Sequence, residues 1–174
     1  MRQAAAPPFK TLLAFAHELA DLSGAAIAPK FRRPIAIDNK AGGGAYDPVS
    51  AADTAAERVI AKAIRARYPE HAILGEEYGA QGARQGAGTD VRYRWVLDPI
   101  DGTRAFIMGS PLWGTLIGLL DAGEPIIGIM DQPFTRERVW ADQKAAHWRT
   151  ADGKTRRIRT RACPKLKDAV FTTT

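Results

Sequence analysis

The apolar positions keep one rhythm over the first part of the chain and another beyond it. From Phe9 to Phe31, the residues Leu12, Leu13, Phe15, Ala16, Leu19 and Ile27 fall at helical spacing, which predicts an amphipathic helix with one face on a core. Val59, Ile60, Ala63 and Ile64 repeat that period between Ser50 and Tyr68. Ser50 is placed to cap this second helix, Asp53 sits in its first turn where a carboxylate is favoured, and Pro69 closes it. Strand patterns follow. Ala72-Ile73-Leu74 ends in Gly75-Glu76-Glu77, and Arg94 to Leu97 runs into Asp98-Pro99-Ile100-Asp101-Gly102-Thr103. Gly114 to Leu120 and Ile126 to Met130 are joined by Asp121-Ala122-Gly123-Glu124, a hairpin signature. Arg138 to Ala141 and His147 to Arg149 read as shorter strands, and Asp152-Gly153 marks a turn before Arg156 to Arg159. Helices first and strands after predict an α+β fold. Two N-terminal helices, near residues 9–31 and 51–67, would pack on a largely antiparallel sheet.

Two stretches read as loops. Arg32 to Tyr46 contains Pro34 and Gly42-Gly43-Gly44, which lacks the Gly-Lys-Ser/Thr ending of a nucleotide loop and fits a hinge or lid. Gln81 to Asp90 is Gly-rich. With 174 residues, 45% of them hydrophobic, the chain is long enough to bury a core. The net charge of +6 suits an anionic partner as well as it suits a plainly solvated Arg-rich surface. Arg156, Arg157, Arg159 and Arg161 alternate with few aromatics, so a charged strand face is expected rather than a nucleic-acid platform. Cys163 is the only cysteine, which excludes an internal disulfide framework and a zinc site built on cysteines. No apolar run approaches the roughly 20 residues of a membrane span, and Met1 to Lys10 holds none of signal-peptide length. A cytoplasmic protein with neither membrane nor nucleic-acid partner is the expectation. His17, within the first helix, is expected at the surface or core edge.

The candidate chemistry is carboxylate chemistry. Glu76 and Glu77 stand at a strand end, and Asp98 and Asp101 flank a Pro-Ile step with the Ile100 carbonyl between them. Such a set of hard oxygens suits Mg²⁺ or Mn²⁺. Equally, Asp98-Pro99 is good turn chemistry and Asp101-Gly102 a good helix cap. On residue types alone the two readings stand side by side.

The spelling of the segments adds a resemblance. Trp95-Val96-Leu97-Asp98-Pro99-Ile100-Asp101-Gly102-Thr103 carries the DPIDGT signature of the inositol monophosphatase superfamily. Gly75-Glu76-Glu77 is similar to its GEE, and Asp47-Pro48-Val49-Ser50-Ala51-Ala52-Asp53 to its D-x-V-[ST]-x-[AT]-D segment, in the family's order. The resemblance implies that Glu76, Asp98, Asp101 and the Ile100 carbonyl hold Mg²⁺, or Mn²⁺ in its place. It implies that Asp53 and Thr103 orient the attacking water and help deprotonate it, with Glu76 in the same catalytic group. Gly102 and Thr103 would receive the substrate phosphate on backbone N–H groups. Glu77 is a weaker candidate, because neighbours on a strand face opposite ways. Lys40 resembles a Lys at the metal edge, and reads equally as a solvated charge.

Phe106 to Leu119 and Gly128-Ile129-Met130-Asp131-Gln132-Pro133 look more like histidinol-phosphate phosphatases than inositol phosphatases. The implied function is Mg²⁺-dependent hydrolysis of a small phosphomonoester by metal-activated water, histidinol phosphate first and inositol monophosphate second. Asp131 is open between a metal or substrate contact and turn chemistry. The family's W-D-x-A-A segment, whose Asp completes a second metal site, has no counterpart here. Residues 1–150 are therefore expected to form an N-terminal metal-binding α+β domain, with 151–174 the start of a C-terminal domain whose remainder is absent. Apolar surface left at severed edges would favour association as a homodimer. A weak phosphatase, or a non-catalytic remnant that binds metal or a partner, is the other expectation.

Overall fold

The computed structural model describes residues 6–40, 46–81 and 91–171. The glycines at 42–44 and the stretch 82–90, read above as a hinge or lid and a Gly-rich loop, lie outside the described residues. Helix α1 (Phe9–Ile27) stops earlier than its apolar period suggested, and a 3₁₀ turn, Ala28–Lys30, follows. Pro29 explains the change, because it has no N–H for an α-helical bond. Helix α2 (Ala51–Arg67) matches the expected span. Between the helices, β1 (Ile37–Asn39) and β2 (Pro48–Ser50) form a small antiparallel pair that the sequence pattern did not reveal.

Among the described residues the main sheet has eight strands, in the order β10-β9-β8-β7-β6-β5-β3-β4. They are β3 (Ala72–Gly75), β4 (Gly79–Gln81), β5 (Tyr93–Asp101), β6 (Gly114–Asp121), β7 (Glu124–Gln132), β8 (Glu137–Asp142), β9 (Ala146–Arg149) and β10 (Thr155–Ile158). Neighbours pair antiparallel except β3 and β5, which run parallel with Gly75 opposite Leu97. The fold is α+β on a largely antiparallel sheet, as the pattern indicated. Strand β10 pairs with β9 through Thr155 opposite Arg149, so the boundary expected at residue 150 falls inside a hairpin of this sheet. A single helical turn, α3 (Thr103–Ile107), leads from β5 toward β6.

Both long helices cover one face of the sheet. Leu12, Phe15, Ala16 and Leu19 of α1 and Ile60 and Ile64 of α2 bury against Ile73, Trp95, Leu97, Ile117, Leu119, Ile127 and Ile129. Each of the larger side chains contributes about 1.5–3 kcal/mol by leaving water. Trp95 is fully buried, meets Phe15 edge to face at 5.7 Å, and donates its indole N–H to His71 Nδ1 at 3.1 Å. A second cluster of Ile27, Phe31, Ala52, Ala56, Ile100, Phe106 and Trp113 anchors the segment around α3. No helix among the described residues is long and apolar enough to cross a membrane.

Candidate metal centre

The Asp98–Thr103 segment is shaped by the strand that carries it. Strand β5 pairs with β6 up to Asp98 opposite Leu116, shifts register, and resumes at Asp101 opposite Gly114. Pro99 has no N–H to donate, so the ladder is interrupted there. The freed Pro99 carbonyl instead accepts from Thr115 Oγ1 at 2.8 Å, and Thr115 Oγ1 lies 2.9 Å from Ser23 Oγ of α1. A carbonyl can only accept, so the Thr115 proton goes to Pro99 and Ser23 donates to Thr115. Both hydroxyl side chains are buried, which ties the acidic segment to the helix layer. Gly102 then turns the chain with φ of 88°, and a Cβ there would stand 2.7 Å from the Leu112 carbonyl oxygen. Glycine answers both demands at once.

The other rim is the turn from β3 to β4. Glu76 and Glu77 lie beyond the last residue of β3, so strand alternation does not separate them, and both reach Lys40 Nζ, at 3.2 Å and 3.1 Å. The strand alternation that set Glu77 apart therefore does not apply, since both residues stand in a turn. Beneath it lies Glu57 of α2, a fully buried carboxylate that the sequence reading passed over. It accepts from the Glu77 N–H at 2.8 Å, the Tyr78 N–H at 3.2 Å and Gln81 Nε2 at 2.9 Å. A second acidic residue four positions after Asp53, between Ala56 and Ile60 of the buried face, was the signal available.

The parallel pairing of β3 with β5 brings these rims side by side, and the Glu76 N–H donates to the Leu97 carbonyl at 3.0 Å. Burial pushes Asp98 well above the usual carboxylate range, a side-chain hydrogen bond with Glu76 pushes the same way, and the charges of Glu76, Asp101 and Asp53 add to the effect. Asp98 Oδ1 is buried without a hydrogen-bond partner among the described residues. Asp53 divides its two oxygens. Oδ2 accepts from the Ser50 N–H at 2.9 Å in a capping box, and Oδ1 is 3.5 Å from Thr103 Oγ1. Burial raises Asp53 too, against the bonds from Ser50. The Thr103 hydroxyl has a nearer acceptor in the Ile100 carbonyl, at 3.0 Å.

Among the described residues, no three Asp, Glu, His or Cys side chains close on a point that would hold an ion by themselves. Glu76 is instead drawn to the Lys40 ammonium. The residues nonetheless fit a hard dication: the donors are all oxygens, and Asp98 Oδ1, set amid acidic groups, has no hydrogen-bond partner among the described residues. Glu76, Asp98, Asp101 and the Ile100 carbonyl are the groups available to hold one. A cavity of about 510 Å³ lies alongside, lined by Asp47, Gly102, Thr103, Arg104, Met108 and Leu112 among others, a volume suited to a small substrate.

Asp131 resolves as an ion pair. It accepts from Arg138 Nε at 2.6 Å, and Arg138, itself 2% exposed, also bonds Asp21 at 2.7 Å. His17 sits at the core edge, with Nδ1 3.3 Å from Arg138 Nη1 and its ring edge-on to Trp140.

Comparison with known proteins gives the family. The family model for the inositol monophosphatase family matches residues 9–174. The bifunctional phosphatase IMPL2, chloroplastic, of Arabidopsis thaliana is 42% identical over 161 residues, covering 92% of this chain and 43% of that protein. A histidinol-phosphatase of Streptomyces coelicolor is 38% identical over 140 residues, covering 78% of this chain and 49% of that protein. The chain thus spans less than half the length of these two relatives. The structure of an inositol monophosphatase from Zymomonas mobilis superposes with a TM-score of 0.67 at 37% identity, over 94% of this chain and 56% of that one. The chain belongs to the inositol monophosphatase family.

Proposed function

We propose that this chain carries the metal- and phosphate-binding part of a Mg²⁺-dependent phosphomonoesterase acting on a small phosphate monoester, histidinol phosphate before inositol 1-phosphate. The observation that carries the reading is the unpartnered Asp98 Oδ1, set among Glu76, Asp101 and Asp53 beside an open cavity. A divalent ion held by Glu76, Asp98, Asp101 and the Ile100 carbonyl would lower the pKa of a bound water and offset phosphate charge. The chain's own groups do the rest. Asp53, fixed through Oδ2 by Ser50, has Oδ1 3.5 Å from the Thr103 hydroxyl, which supports the proposal that the two orient a water and take its proton. Gly102 and Thr103 line the cavity and would receive the phosphate.

The preference for histidinol phosphate rests on the likeness to the Streptomyces coelicolor histidinol-phosphatase, and the inositol alternative on the Zymomonas mobilis structure. The metal-binding domain, read from the sequence as residues 1–150, is proposed to extend through β10, with a second domain after it, and the assembly as a cytoplasmic homodimer. The test is phosphate release from both substrates, with Mg²⁺ and after EDTA, by the 174-residue chain and by one extended with a family-like second domain. Mg²⁺-dependent release that favours histidinol phosphate is expected from the extended form, and weak release from the short one. Turnover indifferent to EDTA would contradict the metal reading. Metal uptake without turnover in either form would leave a non-catalytic binding role.

A further inference from the structure

We infer that Glu57 is a positioning residue for the metal centre: it fixes the Glu76–Glu77 turn and thereby sets the metal affinity. The inference rests on the proposed metal role of Glu76. Glu57 lies one turn of α2 beyond Asp53, fully buried, with no cation bonded to it among the described residues. A carboxylate so placed is tolerated only where its lone pairs are met. Here Oε2 takes the Glu77 N–H at 2.8 Å, and Oε1 takes the Tyr78 N–H at 3.2 Å and Gln81 Nε2 at 2.9 Å. Every donor comes from the segment that carries Glu76 and Glu77.

The backbone is shaped to admit this contact. A Cβ on Gly75 would overlap Glu57 Oε1, and the carboxyl has nowhere to swing while it is buried and bonded three ways. Gly75 therefore serves close approach. The Glu76 N–H is bonded to Leu97 O at 3.0 Å and its side chain to Lys40, so Glu57 holds the turn from below while the strand holds it from one side. One helix thus sets two acidic positions: Asp53 by its own side chain and Glu76 through Glu57. A ligand whose backbone is held this way loses less freedom when an ion binds.

Gln at position 57 keeps the volume but offers one acceptor oxygen and one amide that faces N–H donors, so part of the turn is released. Mn²⁺ binding by the 174-residue chain, read by electron paramagnetic resonance, and melting temperature without metal should be measured for the parent, Glu57→Gln, Glu76→Gln and the double variant. Glu57→Gln is expected to weaken Mn²⁺ binding on the order of 10-fold. In the double variant the losses should be less than multiplicative, because Glu57 acts through Glu76. If Glu57→Gln does not fold, Gln81→Ala, which removes one of the three bonds, should give a smaller loss of the same sign. A lower melting temperature with unchanged Mn²⁺ affinity, or losses that multiply fully, would overturn the positioning role while leaving Glu76 a ligand. Unchanged affinity in Glu76→Gln, or no uptake by the parent, would overturn the metal reading and the positioning role with it.

Discussion

The two rims of the acidic cluster are held by different means. The Asp98–Thr103 rim is built into the sheet: β5 pairs with β6 on both sides of the Pro99 interruption, Thr115 and Ser23 hold the freed carbonyl, and Gly102 turns the chain into α3. The Glu76–Glu77 rim has less behind it. Beyond the β3–β4 pairing that closes it at Gly75 opposite Gly79, it depends on one bond to Leu97, on the Lys40 ammonium and on the buried Glu57 carboxylate. A rim made of backbone ladder spreads its support over many bonds, so one lost side chain lowers stability before it moves a ligand. A rim made of side chains puts ligand geometry at the mercy of single substitutions. The first should behave as scaffold and the second as adjustable.

The largest expected effect tests whether the scaffolded rim carries the chemistry. Asp98→Asn keeps size and one carbonyl oxygen but removes the charge that holds a hard dication. Metal affinity should fall by more than about 100-fold, beyond what outer partners of ligands usually cost, and turnover of any active form should fall with it. The metal-free chain should melt no lower than the parent, because Asp98 is raised by burial and acidic neighbours and gains from losing its charge. Calorimetric Mg²⁺ titration and melting without metal check both halves. Joint loss of folding and binding would make Asp98 a structural turn residue.

Next in size is Gly102→Ala, which forces a side chain into positive φ and toward the Leu112 carbonyl. The backbone conformation alone costs about 1–3 kcal/mol, so denaturant unfolding should show at least that loss. Thr115→Val probes the same rim more gently. It strands the Pro99 carbonyl and the Ser23 hydroxyl in the interior, a cost of about 1–3 kcal/mol in stability. Metal affinity should barely change, since Asp98 and Asp101 stay in the ladder. A large affinity loss in Thr115→Val would erase the contrast between the rims.

The smallest effect concerns the floor under both rims. His71 precedes β3, accepts the Trp95 indole N–H on Nδ1, and stacks on Tyr68 at 4.5 Å. Burial lowers its pKa from the usual 6.5, with Glu70 opposing. The folded state therefore favours the neutral ring, and the unfolded chain takes up the proton first. Stability from this group is present above about pH 6.5 and is lost as pH falls below it. Asp53 and Asp98 shift the opposite way, so the test is a difference. The melting-temperature gap between the parent and His71→Phe should narrow from pH 7.5 to pH 5.5. A constant gap would mean that His71 does not titrate across this range.

The α2 helix and the DPIDGT spelling were legible in the sequence because each is local. Ile60 and Ile64 follow the helical period and are fully buried, and Asp98 to Thr103 are contiguous. What escaped depends on distant partners. Glu57 looks like a solvated helix charge until β3 and its turn, 20 residues on, are laid over it. Strands β1 and β2 have three residues each, too few for alternation to show. Strand β5 reads through Pro99, a residue that ordinarily ends a strand reading, because Thr115 accommodates the break. Asp131 could not be assigned from its neighbours in sequence, since its partner Arg138 comes from the next strand.

The most direct test of the metal centre is the anomalous difference map of crystals of the chain soaked in Mn²⁺. The expected result is a peak at Asp98 Oδ1, within coordination distance of Glu76, Asp101 and the Ile100 carbonyl, with the Glu76–Lys40 bond released. A map without a peak there, with Lys40 still bonded to Glu76 and Glu77, would contradict it.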